Sequence, residues 1–149
     1  MAGQNAALPT SAAALPPGFS GPAPPVPPAT INRDAAGRAT LRAVRLAAPL
    51  RIDGRLDEEV YASVPAMSDF IQNDPKEGAP ATEKTDVWIF YDRDSVYVVA
   101  RCWETHPERI IANEMRHDSL NILQNDLFGF GFDTFYDRRN PIIFDVSAA

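Results

Sequence analysis

The stretch from Thr85 to Trp103, TDVWIFYDRDSVYVVARCW, constrains the fold of this chain more than any other. Two runs rich in valine, isoleucine and aromatics flank the polar tetrapeptide Asp92-Arg93-Asp94-Ser95. β-Branched and aromatic residues bounded by Asp and Ser turn formers predict an antiparallel hairpin. With Tyr91 opposite Val96, each further pair follows by stepping outward on both strands, and Asp86 comes to lie opposite Arg101. Opposed charges at that pair favour the register, since like charges there would repel. Side chains alternate between faces along a strand. One face then carries Val87, Ile89, Tyr91, Val96, Val98, Ala100 and Cys102, and is expected to be the core face. The other carries Asp86, Trp88, Phe90, Tyr97, Val99, Arg101 and Trp103. That aromatic face admits two readings, a ligand platform or a layer buried under another element.

The 149 residues suffice for one domain and a tail. Eight of the fourteen prolines fall between Pro9 and Pro28, among Ala, Gly and Ser. Such a segment has little to bury and no ladder to join, so residues 1–39 are expected to be a disordered tail and 40–149 the folded domain. Residues 1–48 carry a net charge of +3, which leaves −9 on residues 49–149. An acidic domain argues against a nucleic-acid partner, because neutralising phosphates needs a basic face. Cys102 is the sole cysteine, so no disulfide framework or Cys-type zinc site is available, and its position predicts a small buried hydrophobe. No run of 18 apolar residues supports a transmembrane helix. The first residues, MAGQNAALPTSAAALPPG, lack the basic start and long apolar stretch of a secretory signal.

Elsewhere the pattern predicts short strands. Thr40–Ile52 suggests one or two. Leu56, Val60 and Val64 are spaced by four, which predicts a short helix over Asp57–Ser63 that Pro65 ends. Met67–Ile71 and Ile110–Arg116 are candidate strands. Thr105-His106-Pro107-Glu108 has the spacing of a capping box before a short helix, and Leu120–Leu123 suits a helical turn. Leu127–Phe135, LFGFGFDTF, alternates through Asp133, with Phe128, Phe130 and Phe132 as a core stripe. Gly129 and Gly131 on its other face leave room for a close neighbour, or mark a bulge or added twist. Asp137–Asn140 is a turn, and Pro141–Val146 a further strand. Six to eight short strands without long helices between them predict an all-β fold, an antiparallel β-sandwich.

Ile52-Asp53-Gly54-Arg55-Leu56-Asp57-Glu58 resembles the "DG-x-LDE" opening of carbohydrate-binding module family 9-like domains. Thr85-Asp86-Val87, the Tyr91-Asp92 turn, Val96-Tyr97-Val98 and Asp126 with Phe132-Asp133-Thr134 are similar to that family in the same order, from about Leu50 to Phe144. The resemblance implies an immunoglobulin- or jelly-roll-like sandwich that binds polysaccharide or oligosaccharide without hydrolysing it. Some members are joined to xylan-degrading domains, and a large bacterial group precedes an outer-membrane β-barrel. It therefore implies a longer exported protein of the outer membrane, periplasm or extracellular space. Two departures stand out: Tyr61 replaces the family's usual Trp, and family members continue with more strands where Ser147-Ala148-Ala149 stands here. The latter suggests a sandwich incomplete at its C-terminus. The rival expectation is a structural or interaction domain that docks on its own barrel and touches no sugar.

Sugar recognition needs a flat aromatic against the apolar face of the pyranose and polar groups for its hydroxyls. Trp88, Tyr97, Arg101 and Trp103 are the candidates. Catalysis would need two opposed carboxyls roughly 5–10 Å apart. Glu114, Asp118, Asp126 and Asp133 put several acids near one sheet end without showing such a pair. A domain this small with no deep cleft implied seldom houses that chemistry, so no enzyme is expected. Calcium takes about six to eight oxygens from carboxylates and carbonyls. Asp118, Asn121, Asn125 and Asp126 form an oxygen-rich loop without EF-hand spacing, and Asp118, Asn125 and Asp126 are the candidate ligands against a plain solvated loop. His106 and His117 are too isolated to argue for zinc, and no Gly-x-Gly-x-x-Gly or P-loop pattern occurs.

Overall fold

The computed structural model describes residues 15–148, and the chain divides into two compact units, Met1–Arg42 and Ala43–Ala149. Residues 1–14 of the expected tail lie outside the described residues. The boundary falls slightly later than the composition shift at Ala39, because Thr40 and Arg42 are tied into the first unit.

In that first unit β1 (Ile31–Arg33) pairs antiparallel with β2 (Ala39–Leu41), in the register Ile31–Leu41 and Arg33–Ala39. Asp34 shapes the connection. Its Oδ1 accepts from the Ala36 and Arg38 amides, each at 3.0 Å, and its Oδ2 meets Arg38 Nε at 2.8 Å. The expectation of no regular structure up to Ala39 is therefore corrected for Ile31–Arg33. The physical reason lies in the carbonyls of the proline-rich segment. Proline lacks a donor but keeps its acceptor, and side chains of the hairpin supply what the backbone cannot. Thr40 Oγ1 donates to Pro22 O at 2.6 Å, Asn32 Nδ2 to Ala23 O at 2.8 Å, and Arg42 to Ala29 O and Pro28 O at 2.8 and 3.0 Å. Thr30 and Thr40 are buried.

The second unit is built on the predicted hairpin. β4 (Thr85–Tyr91) pairs antiparallel with β5 (Val96–Cys102), with Tyr91 opposite Val96 and Asp86 opposite Arg101, as expected. Asp92 closes the turn, accepting from the Asp94 and Ser95 amides at 2.8 Å through Oδ1 and from the Tyr97 hydroxyl at 2.7 Å through Oδ2. β3 (Val44–Arg45) runs parallel to β4 beside Phe90 and Tyr91, so this sheet is mixed and not purely antiparallel. β6 (Leu127–Phe132) and β7 (Ile142–Ser147) form a separate antiparallel pair. α1 (Glu59–Ser63) stops before Pro65 as expected. The architecture of the described residues is all-β, in three small open sheets.

Both faces of the hairpin contribute to the core, and the aromatic face is the more deeply buried of the two. Phe90 is wholly buried and Trp88 is 5% exposed, and both lie on the aromatic face. The segment from Leu56 to Val64 covers that face. Tyr61 of α1 meets Trp88 and Phe90 edge-on, with ring centroids 5.5 and 5.9 Å apart. Trp88 Nε1 donates to Val64 O at 3.0 Å, and Arg101 Nη2 to Leu56 O at 3.3 Å. Met67 exchanges both backbone bonds with Val87 and is itself buried. On the expected core face, Val87 is buried as expected and Ile89, Val98 and Ala100 are half-buried, while Tyr91, Val96 and Cys102 are exposed. The reading of Cys102 as a buried hydrophobe is thereby corrected.

Other expectations give way locally. Met67–Ile71 contributes isolated bridges and no strand, and Ile110–Arg116 forms none. The capping box does not form. Thr105 Oγ1 donates instead to Glu83 Oε1 at 2.6 Å, and the 3₁₀ turn Pro107–Arg109 begins after His106. A second 3₁₀ turn spans Leu120–Gln124. The phenylalanine stripe of β6 is a ladder shared with β7, where Phe130 stacks on Phe144 at 5.2 Å, but Phe132 and Phe144 remain exposed. On the opposite face a Cβ at Gly129 would meet Asp145 Oδ1 at 2.6 Å. That oxygen ends an exposed side chain that can rotate away. Gly129→Ala is therefore expected to change unfolding free energy by less than about 1 kcal/mol in a urea titration. A larger loss would mean that the strand needs bare backbone at this point.

Candidate functional site

The four residues expected to form a platform are not brought together. Trp88 is core. Tyr97 is half-buried at the turn end, bonded to Asp92, whose carboxylate pushes the phenol up from its ordinary value. Trp103 lies six residues further along the strand, about 20 Å away at the usual rise. Arg101 and Trp103 remain as neighbours, the guanidinium carbon 5.6 Å from the centre of the indole.

Around Trp103 a compact polar cluster takes shape. One further step of the hairpin register sets Lys84 opposite Trp103, and the Trp103 amide donates to Lys84 O at 2.8 Å. The Lys84 ammonium reaches Asp86 Oδ2 at 2.8 Å and lies 5.7 Å from the centre of the Trp103 ring. Trp103 Nε1 donates to the same Asp86 Oδ2 at 3.2 Å, and Ser68 Oγ donates to Asp86 Oδ1. Asp86 is only 6% exposed, whereas Trp103 is 48% exposed. Burial pushes the Asp86 carboxyl up, but the bonds from Lys84, Ser68 and Trp103 outweigh that and hold it below its ordinary value. A buried carboxylate thus fixes an exposed indole by its edge.

Lys84, Asp86 and Ser68 were not among the residues picked out from the sequence as site members. Period two sets Lys84 and Asp86 on the same face as Trp88, so the signal for two of them was present. Ser68 gave none, because its segment joins the sheet through a single bridge at Met67.

No family model, curated protein or solved structure matches this chain. The resemblance to family 9 modules finds no support in those comparisons, and the residues themselves must carry any functional reading.

The candidate calcium loop is tied up internally. Asp126 Oδ2 accepts from the Ile111 amide at 2.8 Å, Asn125 Oδ1 from the Asn113 amide at 3.0 Å, and exposed Asp118 pairs with His117 at 2.8 Å. Asn121 begins the 3₁₀ turn, where its amide meets Ser119 Oγ at 3.3 Å. Among the described residues no three His, Cys, Asp or Glu side chains converge as metal ligands would. The other acids are likewise engaged in their own loops. Glu114 is bonded by Arg116 at 2.7 and 2.9 Å and by Ser119 at 2.7 Å, and the Arg116 bonds hold its carboxyl far below the usual carboxylate range. Asp133 accepts from the Asp137 and Arg138 amides. Among the described residues no helix is long and apolar enough to cross a membrane.

Proposed function

We propose that the Ala43–Ala149 unit binds carbohydrate without hydrolysing it, as a sandwich-type module of a longer exported protein. The observation that supports this reading is the fixed, half-exposed indole of Trp103 beside Lys84, Asp86 and Arg101. A pyranose presents one face of C–H groups to an aromatic ring and a rim of hydroxyls to its surroundings. The indole supplies the first contact, and the Lys84 ammonium and Arg101 guanidinium beside the ring supply donors for the second. Because Asp86 already holds the ring, little side-chain entropy is lost on binding. Sugar as ligand and export as context both follow from the sequence resemblance.

The test is a titration of tryptophan emission with soluble xylan and cello-oligosaccharides. Trp88 is buried, so a change reports Trp103. Trp103→Ala is expected to weaken binding at least about tenfold while leaving the unfolding temperature nearly unchanged. An early-melting variant would make Trp103 a structural residue, and no response of the unaltered protein to any sugar would end the reading.

A second reading has its own observation. Ile142, Ile143, Phe144 and Val146 of β7 are all exposed, 45 to 64%. An apolar strand with an unpaired edge is a template for pairing with another chain. Under this reading the unit docks on a protein surface, such as a β-barrel of its own polypeptide, and touches no sugar.

A further inference from the structure

We propose that the groove between the β4–β5 hairpin and the β6–β7 hairpin takes an extended peptide of a partner protein, apolar at alternate positions and carrying basic residues. The proposal rests on the second reading above; Trp103 also lines the groove, so a sugar stacked on its indole would compete with the peptide. The groove encloses about 560 Å³, which falls within the ~300–1,000 Å³ of ordinary ligand clefts. One wall is the hairpin face opposite Trp88 and Phe90, with Val98, Ala100 and Cys102 along β5. The other is β6 and its partner, with Phe128, Phe130 and Val146.

Two features select the occupant. The apolar residues of both walls recur every second residue, a repeat of about 6.6–6.8 Å along a strand. An extended peptide has that same repeat, whereas a helix sets its apolar residues at three- and four-residue spacing. Charge is the second feature. Glu83, Glu104 and Asp126 line the groove and no basic side chain does. Lys84 is engaged with Asp86 and Arg101 with the Leu56 carbonyl. The bonds these acids receive, from Thr105, the His106 amide and the Ile111 amide, leave their negative charge in place. An apolar floor with an acidic rim fits a peptide whose apolar side chains point inward and whose lysines or arginines meet the rim.

The probe is the acetylated, amidated heptapeptide Lys-Val-Thr-Val-Thr-Val-Lys, set against the same peptide with both lysines replaced by glutamate. Binding to the full chain is measured by calorimetry and by Trp103 emission at low and at physiological salt. The lysine peptide is expected to bind at least about tenfold more tightly than the glutamate peptide, with the difference shrinking as salt screens the rim. Glu83→Gln with Glu104→Gln keeps both acceptors and removes both charges, so it should bring the two peptides within about threefold. Ala100→Arg should abolish binding of the lysine peptide, with circular dichroism confirming that the variant is folded. Equal affinity for the two peptides, or no binding of either, overturns the proposal. So does sedimentation showing a dimer that the lysine peptide does not dissociate, since a second copy would then hold the groove. Sugar titrations on the same protein keep the two readings apart, because either can fail alone.

Discussion

Replacing Phe90 with alanine is expected to cost about 3–5 kcal/mol of folding free energy. Phe90 is the most deeply buried side chain of the second unit, at 0% exposure, and it joins three elements. β3 pairs beside it through Val44, Tyr97 stands opposite on β5, and Tyr61 packs edge-on from α1. Removing the ring leaves a cavity that these strands cannot close, because their backbones are fixed by the ladder. A urea titration followed by far-UV circular dichroism measures the loss. Phe90→Leu, which refills most of the volume, should cost roughly half as much. If Phe90→Ala unfolded at nearly the urea concentration of the unaltered protein, the core would have to lie elsewhere.

Asp86→Ala should remove about 2 kcal/mol at neutral pH, since it deletes the ion pair with Lys84 and the charge-assisted bonds from Ser68 and Trp103. Its signature is the pH dependence. The folded state holds the Asp86 carboxyl below its ordinary value, so on acidification the unfolded chain takes up the proton first. Stability from this group is therefore complete above the usual carboxylate pKa and is lost as pH falls through the lowered value. The gap between the unaltered protein and Asp86→Ala should thus be widest near neutrality and narrow below about pH 4. Denaturant titrations across pH 2.5–7 (roughly the carboxylate range and above) read this directly. A gap independent of pH would mean that Asp86 acts through packing and not through its charge. The variant should also shift tryptophan emission, because it frees the indole of Trp103.

Much of this architecture was legible because a strand's geometry is local. The hairpin register followed from Asp92-Arg93-Asp94-Ser95 and the opposed pair Asp86 and Arg101, and it holds along its whole length. The choice of face did not follow, because alternation shows which residues share a side and not which side is covered. Covering was decided by Tyr61 and Val64, from a segment whose one short helix left a faint periodic signal. The same limit applies to the site. Trp88 and Trp103 share a face, yet Trp88 lies under α1 while Trp103 projects past the strand end. Thr105 had the spacing of a cap, but Glu83, far away in sequence, took its hydroxyl. A pattern of near neighbours carries no information about such a competitor.

The side-chain donors on the proline segment have a consequence for how its order can be detected. Pro22, Pro24, Pro25, Pro27 and Pro28 contribute no amide protons, and the bonds that fasten the segment come from Asn32, Thr40 and Arg42. Amide hydrogen exchange would pass over this anchorage almost in silence, although the chain there is held at several points. The informative protons are the Thr40 hydroxyl, the Asn32 carboxamide and the Arg42 guanidinium. Slow exchange at those three groups, beside a backbone with few protons to report, would be the spectroscopic mark of a strap held by the hairpin it crosses.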